Sequence, residues 1–174
     1  MKFPHREKIL KILFLIISIA ISAVIIINKD KFVNLHGYGY LGIFLISVLG
    51  NATIIIPAPV ILTAFVGGSI FNPFLVGVIT ALGATIGELT GYLAGTGGKV
   101  FIKESEKYRK LRGWIEKRGF LTIFVLAAIP NPFFDLAGIA SGITGYPLAK
   151  FLLATFLGKT PKFLLFALLG AKAF

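Results

Sequence analysis

The chain has 174 residues, of which 56% are hydrophobic and only 14% are charged, and its formal net charge is +11. A soluble domain has roughly 25% charged residues, so this composition excludes an ordinary soluble domain and favours a single integral membrane unit. With no cysteine and only two histidines, the chain offers no disulfide, no thiolate metal site and no histidine metal centre, and we expect neither a metal nor another cofactor.

The first apolar stretch, residues 9–27, begins within a cluster of four basic residues, Lys2, Arg6, Lys8 and Lys11. It is longer than the roughly 7–15-residue core of a signal peptide, and no small-residue cleavage site follows it. Since such a helix can cross about 30 Å of hydrocarbon, residues 1–34 are predicted to hold a basic segment and an uncleaved transmembrane helix. The rest, residues 35–174, is predicted to be the main membrane domain. It divides into a first repeat, a basic loop and a second repeat, at residues 35–98, 99–118 and 119–174.

The second and fourth apolar stretches, residues 40–70 and 120–145, are each interrupted by a Pro-x-Pro pair. The four prolines are Pro57, Pro59, Pro130 and Pro132. Two prolines this close remove backbone donors and break a helix, and each remaining half is too short to span a bilayer. Each stretch is therefore either a kinked spanning helix or a re-entrant hairpin whose irregular backbone is buried in protein or lines a wet cavity.

The two halves of the chain correspond to each other. The proline pairs match at one constant offset, which also pairs Ala64 with Ala137. Pro73 and Pro147 each begin the next apolar stretch. Each half is thus a broken segment, a short turn and a full span, an arrangement typical of transporters built from repeats.

Charge then favours hairpins over kinked spans. With two hairpins, the N-terminal basic cluster and the basic loop at 99–118 lie on the same side, as the positive-inside rule requires. We therefore predict an all-α integral membrane protein. It is an inverted repeat of two Pro-broken re-entrant hairpins, each followed by a transmembrane helix, plus the N-terminal transmembrane helix. The N-terminus and residues 99–118 are expected to be cytoplasmic, in the plasma (inner) membrane of a prokaryote.

Two of the seven acidic residues, Glu88 and Asp135, lie inside apolar stretches. An ionisable side chain there is unfavourable unless it faces a partner or a cavity, so both are candidates for a transport or proton site. Glu88 and Tyr92 flank a stripe of glycines at which another backbone can approach closely. These glycines are Gly83, Gly87, Gly91 and Gly95. A structural carboxyl paired with a lysine is the alternative for Glu88. Asn51 and Thr53 precede the first break and could supply polar contacts, although a structural role is favoured for them.

Other polar residues cluster at the second break and in the last stretch. Asn131 before Pro132 is a good N-cap, and Asp135 then falls in a first helical turn, where an acid complements the helix dipole. This structural account stands beside a transport role for both Asn131 and Asp135. Lys159 and Lys162 lie mid-way along the last apolar stretch. They are candidate partners for an acid or for a lipid phosphate. The alternative is that the stretch is two short pieces and that both lysines lie near a membrane surface.

Residues 83–95 resemble the G-x-x-x-G-[D/E]-x-x-G-Y-x-x-G signature of the DedA family, also called the VTT or SNARE-associated domain. The resemblance implies two re-entrant hairpins in inverted repeat and the flipping or scrambling of lipids, either polyprenyl phosphates or phospholipids. It also implies that Glu88 is the essential intramembrane acid. The arginines that bacterial members carry around the second hairpin are absent here, and Asp135 occupies that region. Lys159 and Lys162 are the candidates to bind a lipid phosphate instead.

The sequence is compatible with three functions. The leading hypothesis is a lipid transporter or scramblase in which protonation of Glu88 is coupled to opening between the hairpins. The second is a proton- or ion-coupled carrier of a small solute. The third is a non-transporting assembly protein with the glycine stripe as its dimer face. We expect membrane lipids as partners, no nucleic acid and no enzymatic activity, and a homo-oligomer is left open.

Overall fold

A computed structural model describes residues 39–52, 58–97, 106–131 and 134–173 of the protein. Within these ranges the chain forms helices and no strand, so the all-helical class is confirmed for this part. The helices are α1 (Gly39–Ala52), α2 (Ala58–Ile70), α3 (Pro73–Gly87), α4 (Leu89–Gly97), α5 (Glu106–Ala128), α6 (Phe134–Thr144) and α7 (Leu148–Ala173). The predicted N-terminal transmembrane helix, residues 9–27, lies outside the described residues.

Helix length separates two kinds of element. In the described part of the chain, Pro73–Thr96 and Leu148–Ala173 are long and apolar enough to cross a membrane. Helices α1, α2 and α6 have 14, 13 and 11 residues. At 1.5 Å per residue they extend roughly 17–21 Å, which is too short for about 30 Å of hydrocarbon. Exposed leucines lie along α1 and α7, at Leu41, Leu45, Leu49, Leu153, Leu157, Leu165 and Leu169. Such apolar surfaces suit contact with lipid.

Local sequence signals fix two of the helix ends. The side chain of Asn72 accepts hydrogen bonds from the backbone N–H groups of Phe74 (3.0 Å) and Leu75 (3.2 Å), and Pro73 is the first residue of α3. Proline suits this position because its missing N–H would have no helical partner. Between α6 and α7, Gly145 has φ +69°, a left-handed conformation that ends a helix and favours glycine.

Close seams hold the helices together. Helix α1 packs on α3, α5 on α7, α2 on α7 and α4 on α6, and α3 and α7 cross each other. At these seams a glycine lies so near a backbone carbonyl of the facing helix that a Cβ would overlap it. The glycine–carbonyl pairs are Gly83 with Phe44, Gly158 with Phe124, Gly68 with Ala167, Gly142 with Tyr92, Gly170 with Phe65 and Gly95 with Ile139.

Helix α5 has a charged part and an apolar part, which meet at Arg118. This residue has φ −143° and ψ 51°, which are not helical values, and so the helix kinks there. One face of the charged part is buried against α6 through Tyr108, Leu111 and Ile115. The opposite face exposes basic side chains, among them Arg109, Lys110, Lys117 and Arg118. The described part of the basic loop is therefore a helix packed on α6.

Candidate functional site

A buried ion pair lies where the two halves of the protein meet. The Lys159 ammonium donates to Glu88 Oε1 at 2.6 Å, and the two side chains are only 2% and 4% exposed. A single charge at this depth would be strongly unfavourable, whereas a hydrogen-bonded pair is tolerated. Lys159 is thus the partner of Glu88 in the structure. The sequence suggested two acids, Glu88 and Asp135, as possible partners of this lysine.

Three further groups surround the Lys159 ammonium. It donates to Asn51 Oδ1 at 2.8 Å and to the Ala84 carbonyl at 3.4 Å, and it lies 4.9 Å from the centre of the Phe134 ring. The ring face offers a cation–π contact. These partners come from α1, α3 and α6, while Lys159 belongs to α7. One ammonium group therefore connects four helices drawn from both halves of the chain.

Breaks in the helices position the two charged residues. Glu88 is the residue between α3 and α4, and its N–H still donates to the Ala84 carbonyl at 3.3 Å. Lys159 lies two residues before Pro161, which is inside α7. Proline has no N–H, so the carbonyl of Leu157 receives no helical hydrogen bond from position 161. Both charges thus lie next to points where the backbone ladder is interrupted.

Lys162 and Asp135 form the periphery of the site. The Lys162 ammonium donates to the Ala127 carbonyl at 2.9 Å and lies 5.1 Å from the centre of the Phe163 ring. Asp135 is in the first turn of α6, within electrostatic reach of Glu88 and of Lys159. Among the described residues, neither Lys162 nor Asp135 forms an ion pair. A basic and an acidic side chain, neither in an ion pair among the described residues, thus lie beside the central pair.

Tyr92 and Asn131 serve other contacts. The Tyr92 hydroxyl donates to the Tyr146 carbonyl at 2.7 Å, and its ring packs on Phe151. The Asn131 amide donates to the carbonyls of Leu126 and Ile129, both at 2.8 Å, at the end of α5. The Tyr92 side chain therefore ties α4 to the connection between α6 and α7, and the Asn131 amide binds carbonyls at the end of α5.

The prolines and the glycine stripe also have structural surroundings. Pro130 follows the end of α5, Pro59 is the second residue of α2, and Pro57, Pro132 and Thr53 lie outside the described residues. In the stripe, Gly83 faces the backbone of α1, Gly91 and Gly95 face that of α6, and Gly87 is buried. Gly83, Gly91 and Gly95 therefore serve contacts within one chain.

Three members of the site were not singled out by the sequence. Phe134 is the ring beside Lys159, and its only signal was its position next to Asp135. The carbonyls of Ala84 and Ala127 accept hydrogen bonds from the two lysines, and no side-chain pattern reports a carbonyl. Asn51, for which a structural role was favoured, is a direct partner of Lys159.

The described part of the chain is helical and contains two spans long and apolar enough to cross a membrane, and comparison with known proteins gives the family. The profile of the VTT domain matches residues 56–172. The chain belongs to the VTT domain family, and the resemblance drawn from its glutamate and glycine signature is confirmed.

Relatives come from plants, amoebae and bacteria. The chain is 33% identical over 101 residues to vacuole membrane protein KMS2 of Arabidopsis thaliana, covering 47% of the chain and 24% of the relative. It is 33% identical over 144 residues to a vacuole membrane protein 1 homolog of Dictyostelium discoideum, covering 65% and 35%. An alkaline phosphatase-like protein of Lactococcus lactis is 31% identical over 143 residues, covering 71% and 65%. The chain thus matches about a third or less of the two vacuole membrane relatives. No solved structure matches the chain.

Proposed function

We propose that the protein is a membrane lipid transporter or scramblase in which the Glu88–Lys159 pair is the central gate. The observation that carries the proposal is this buried pair, held at 2.6 Å between the two halves of the chain. Stability alone does not account for the pair, because apolar residues of similar volume often stabilise a fold at least as much as a buried ion pair does. Ionisable groups inside a membrane more often mark a pathway for substrate or protons.

The proposed mechanism is an exchange of partners at Lys159. A lipid phosphodiester, with one negative charge, binds the Lys159 ammonium in place of the Glu88 carboxylate, and the displaced carboxylate takes up a proton from the aqueous phase. The net charge of the site then changes little, which keeps the cost of moving a charged headgroup low. Lys162 supports this step, since its part-buried ammonium lies near the pair and has no carboxylate partner among the described residues.

We further propose that the two halves form an inverted repeat of re-entrant hairpins. Support comes from the seams, because the contacts between α2 and α7 have counterparts between α6 and α4. Gly68 on the Ala167 carbonyl corresponds to Gly142 on the Tyr92 carbonyl. The seams of α1 with α3 and of α5 with α7 match in the same way. The short lengths of α1, α2 and α6 support hairpins over complete spans.

Lipid translocation in proteoliposomes tests the proposal. A fluorescent phospholipid would be reconstituted with wild type, Glu88→Gln or Lys159→Met, and dithionite quenching of inner-leaflet label would be followed in sealed vesicles of matched protein content. We expect rapid translocation by wild type and slow translocation by both variants, because neither variant can exchange partners. Lys110→Met, which removes an exposed ion pair with Glu106, is the matched control and should behave as wild type. Equal rates in wild type and Glu88→Gln would contradict the gate.

A proton- or ion-coupled solute carrier is the second candidate. Two acids and two lysines lie together in the site, and Asp135 and Glu88 interact electrostatically. A carrier of this kind would move protons in liposomes that contain no labelled lipid, with a flux that depends on an added solute. Translocation of lipid without such a flux would decide for the scramblase.

Orientation and location are part of the proposal. The exposed basic face of α5 supports a cytoplasmic location for residues 99–118, because basic residues concentrate in cytoplasmic loops. The plasma membrane of a prokaryote stays our prediction for the location, and a homo-oligomer stays open. Protease protection of residues 99–118 in sealed inside-out vesicles would contradict the orientation.

A further inference from the structure

Two buried threonines, Thr80 and Thr155, have hydroxyl groups that meet no hydrogen-bond partner among the described residues. Both side chains are completely buried. Other buried hydroxyls on these helices and their neighbours donate to the carbonyl four residues earlier, as Ser47, Thr85 and Ser141 do. A buried hydroxyl without a partner is unfavourable, so its retention calls for a partner in another state of the protein.

The two threonines lie on opposite sides of the ion pair. Thr80 is one helical turn before Ala84, and Thr155 is one turn before Lys159, so each shares a helix face with a residue of the site. Gly77 faces Leu164 while Ala84 faces Lys159, which makes α3 and α7 antiparallel where they cross. Thr80 therefore lies toward the beginning of α3, and Thr155 lies toward the opposite side of the membrane.

The side of Thr155 can be named. Helix α7 begins just after Tyr146, whose ring lies against Gly119. Gly119 immediately follows the kink of α5 at Arg118, where the charged part of that helix ends. Thr155 is thus on the side of the basic segment, residues 106–118, and Thr80 is on the other side.

We propose that Thr80 and Thr155 line two water-accessible routes, one from each side of the membrane, that lead to the Glu88–Lys159 pair. Each route opens when α3 and α7 separate on that side, and water or a polar headgroup then becomes the partner of the exposed hydroxyl. The role of the two routes rests on the proposed transport function. The routes themselves can be detected without any transported lipid.

Thiol labelling is the test, and the chain suits it because it has no cysteine of its own. Thr80→Cys and Thr155→Cys would be reconstituted in proteoliposomes and treated with a charged, membrane-impermeant methanethiosulfonate from outside or inside. Gly113→Cys, on the charged part of α5, reports which side carries the basic segment. Ala81→Cys and Ala154→Cys are matched controls, since both alanines are completely buried and apolar.

We expect Thr155→Cys to react only from the side on which Gly113→Cys reacts, and Thr80→Cys only from the opposite side, with both alanine controls unreactive. Adding Glu88→Gln should raise both rates, because the closing ion pair is lost. Failure of either threonine position to react, reaction of both from one side, or equal reaction of the controls would overturn the inference. Helicity and size-exclusion profiles equal to those of wild type are required of every variant.

Two further pairs of variants test the role of the hydroxyl groups without introducing cysteine. Thr80→Val and Thr155→Val keep the shape and remove the hydroxyl, whereas the two serine variants keep it. If a hydrogen bond to the hydroxyl forms only during opening, lipid translocation should slow about tenfold in the valine variants and stay near wild type in the serine variants. Where wild type translocates lipid, equal rates in the valine and serine variants would contradict the routes. Sided labelling without lipid translocation by wild type would instead contradict the proposed function and leave the routes standing.

Discussion

Removing one partner of the buried ion pair should destabilise the protein far more than removing both. Lys159→Met leaves the Glu88 carboxylate without its ammonium, and the cost of such an orphaned charge is about 3–5 kcal/mol. Glu88→Gln should fall at the lower end of that range, because Asn51 and the Ala84 carbonyl still accept from Lys159. The double variant contains neither charge, so its free energy of unfolding should return to within about 1 kcal/mol of wild type.

Unfolding by sodium dodecyl sulfate, followed by far-ultraviolet circular dichroism in mixed micelles, would measure these differences. The pair's coupling energy is the deviation of the double variant from the sum of the two single variants. The exposed pair Glu106–Lys110, at 2.8 Å, provides the matched cycle and should show almost no coupling. Additive effects of Glu88→Gln and Lys159→Met would refute the reasoning, since they would mean that the two charges do not stabilise each other.

Three further predictions concern single positions. Gly95→Ala should destabilise the protein by about 1–3 kcal/mol, because the new Cβ would overlap the Ile139 carbonyl. Gly113 has open space around it, so Gly113→Ala should stabilise the protein by up to about 1 kcal/mol in the same unfolding assay. Tyr92→Phe should lower the free energy of unfolding by about 1 kcal/mol through loss of the hydrogen bond to the Tyr146 carbonyl, and an unchanged value would show that this bond adds nothing. Asn51→Ala should slow lipid translocation less than Lys159→Met does, as it removes only one of the partners of the ammonium; the reverse order would contradict the central place of Lys159.

Much of the architecture was predictable because it depends on local signals. The proline pairs predicted breaks near residues 57 and 130, and the described helices end or begin around them. Pro73 after Asn72 predicted the beginning of a span, and capping by Asn72 explains why it is there. An acid between regularly spaced glycines predicted a protein contact for Glu88, which is buried as expected.

The pairing of charges was not predictable in the same way. Either acid could have met either lysine, and only the crossing of α3 with α7 brings Glu88 to Lys159 and not to Lys162. The glycine stripe predicted a close approach of another backbone. It did not indicate whether that backbone belongs to the same chain or to a second copy. Those answers depend on tertiary packing between residues far apart in sequence, on which periodicity carries no information.

The shared carbonyl of Ala84 links a side-chain event to the backbone. This oxygen accepts both the Glu88 N–H at 3.3 Å and the Lys159 ammonium at 3.4 Å, one donor for each of its lone pairs. When the ammonium leaves, the carbonyl keeps a single donor, and its vibrational frequency must change with the state of the pair. A carbon-13 label at that one carbonyl would turn the helix itself into an infrared reporter of whether the two halves are joined. With that isotope in place, the protein's own backbone reports its resting state without any added dye or labelled lipid.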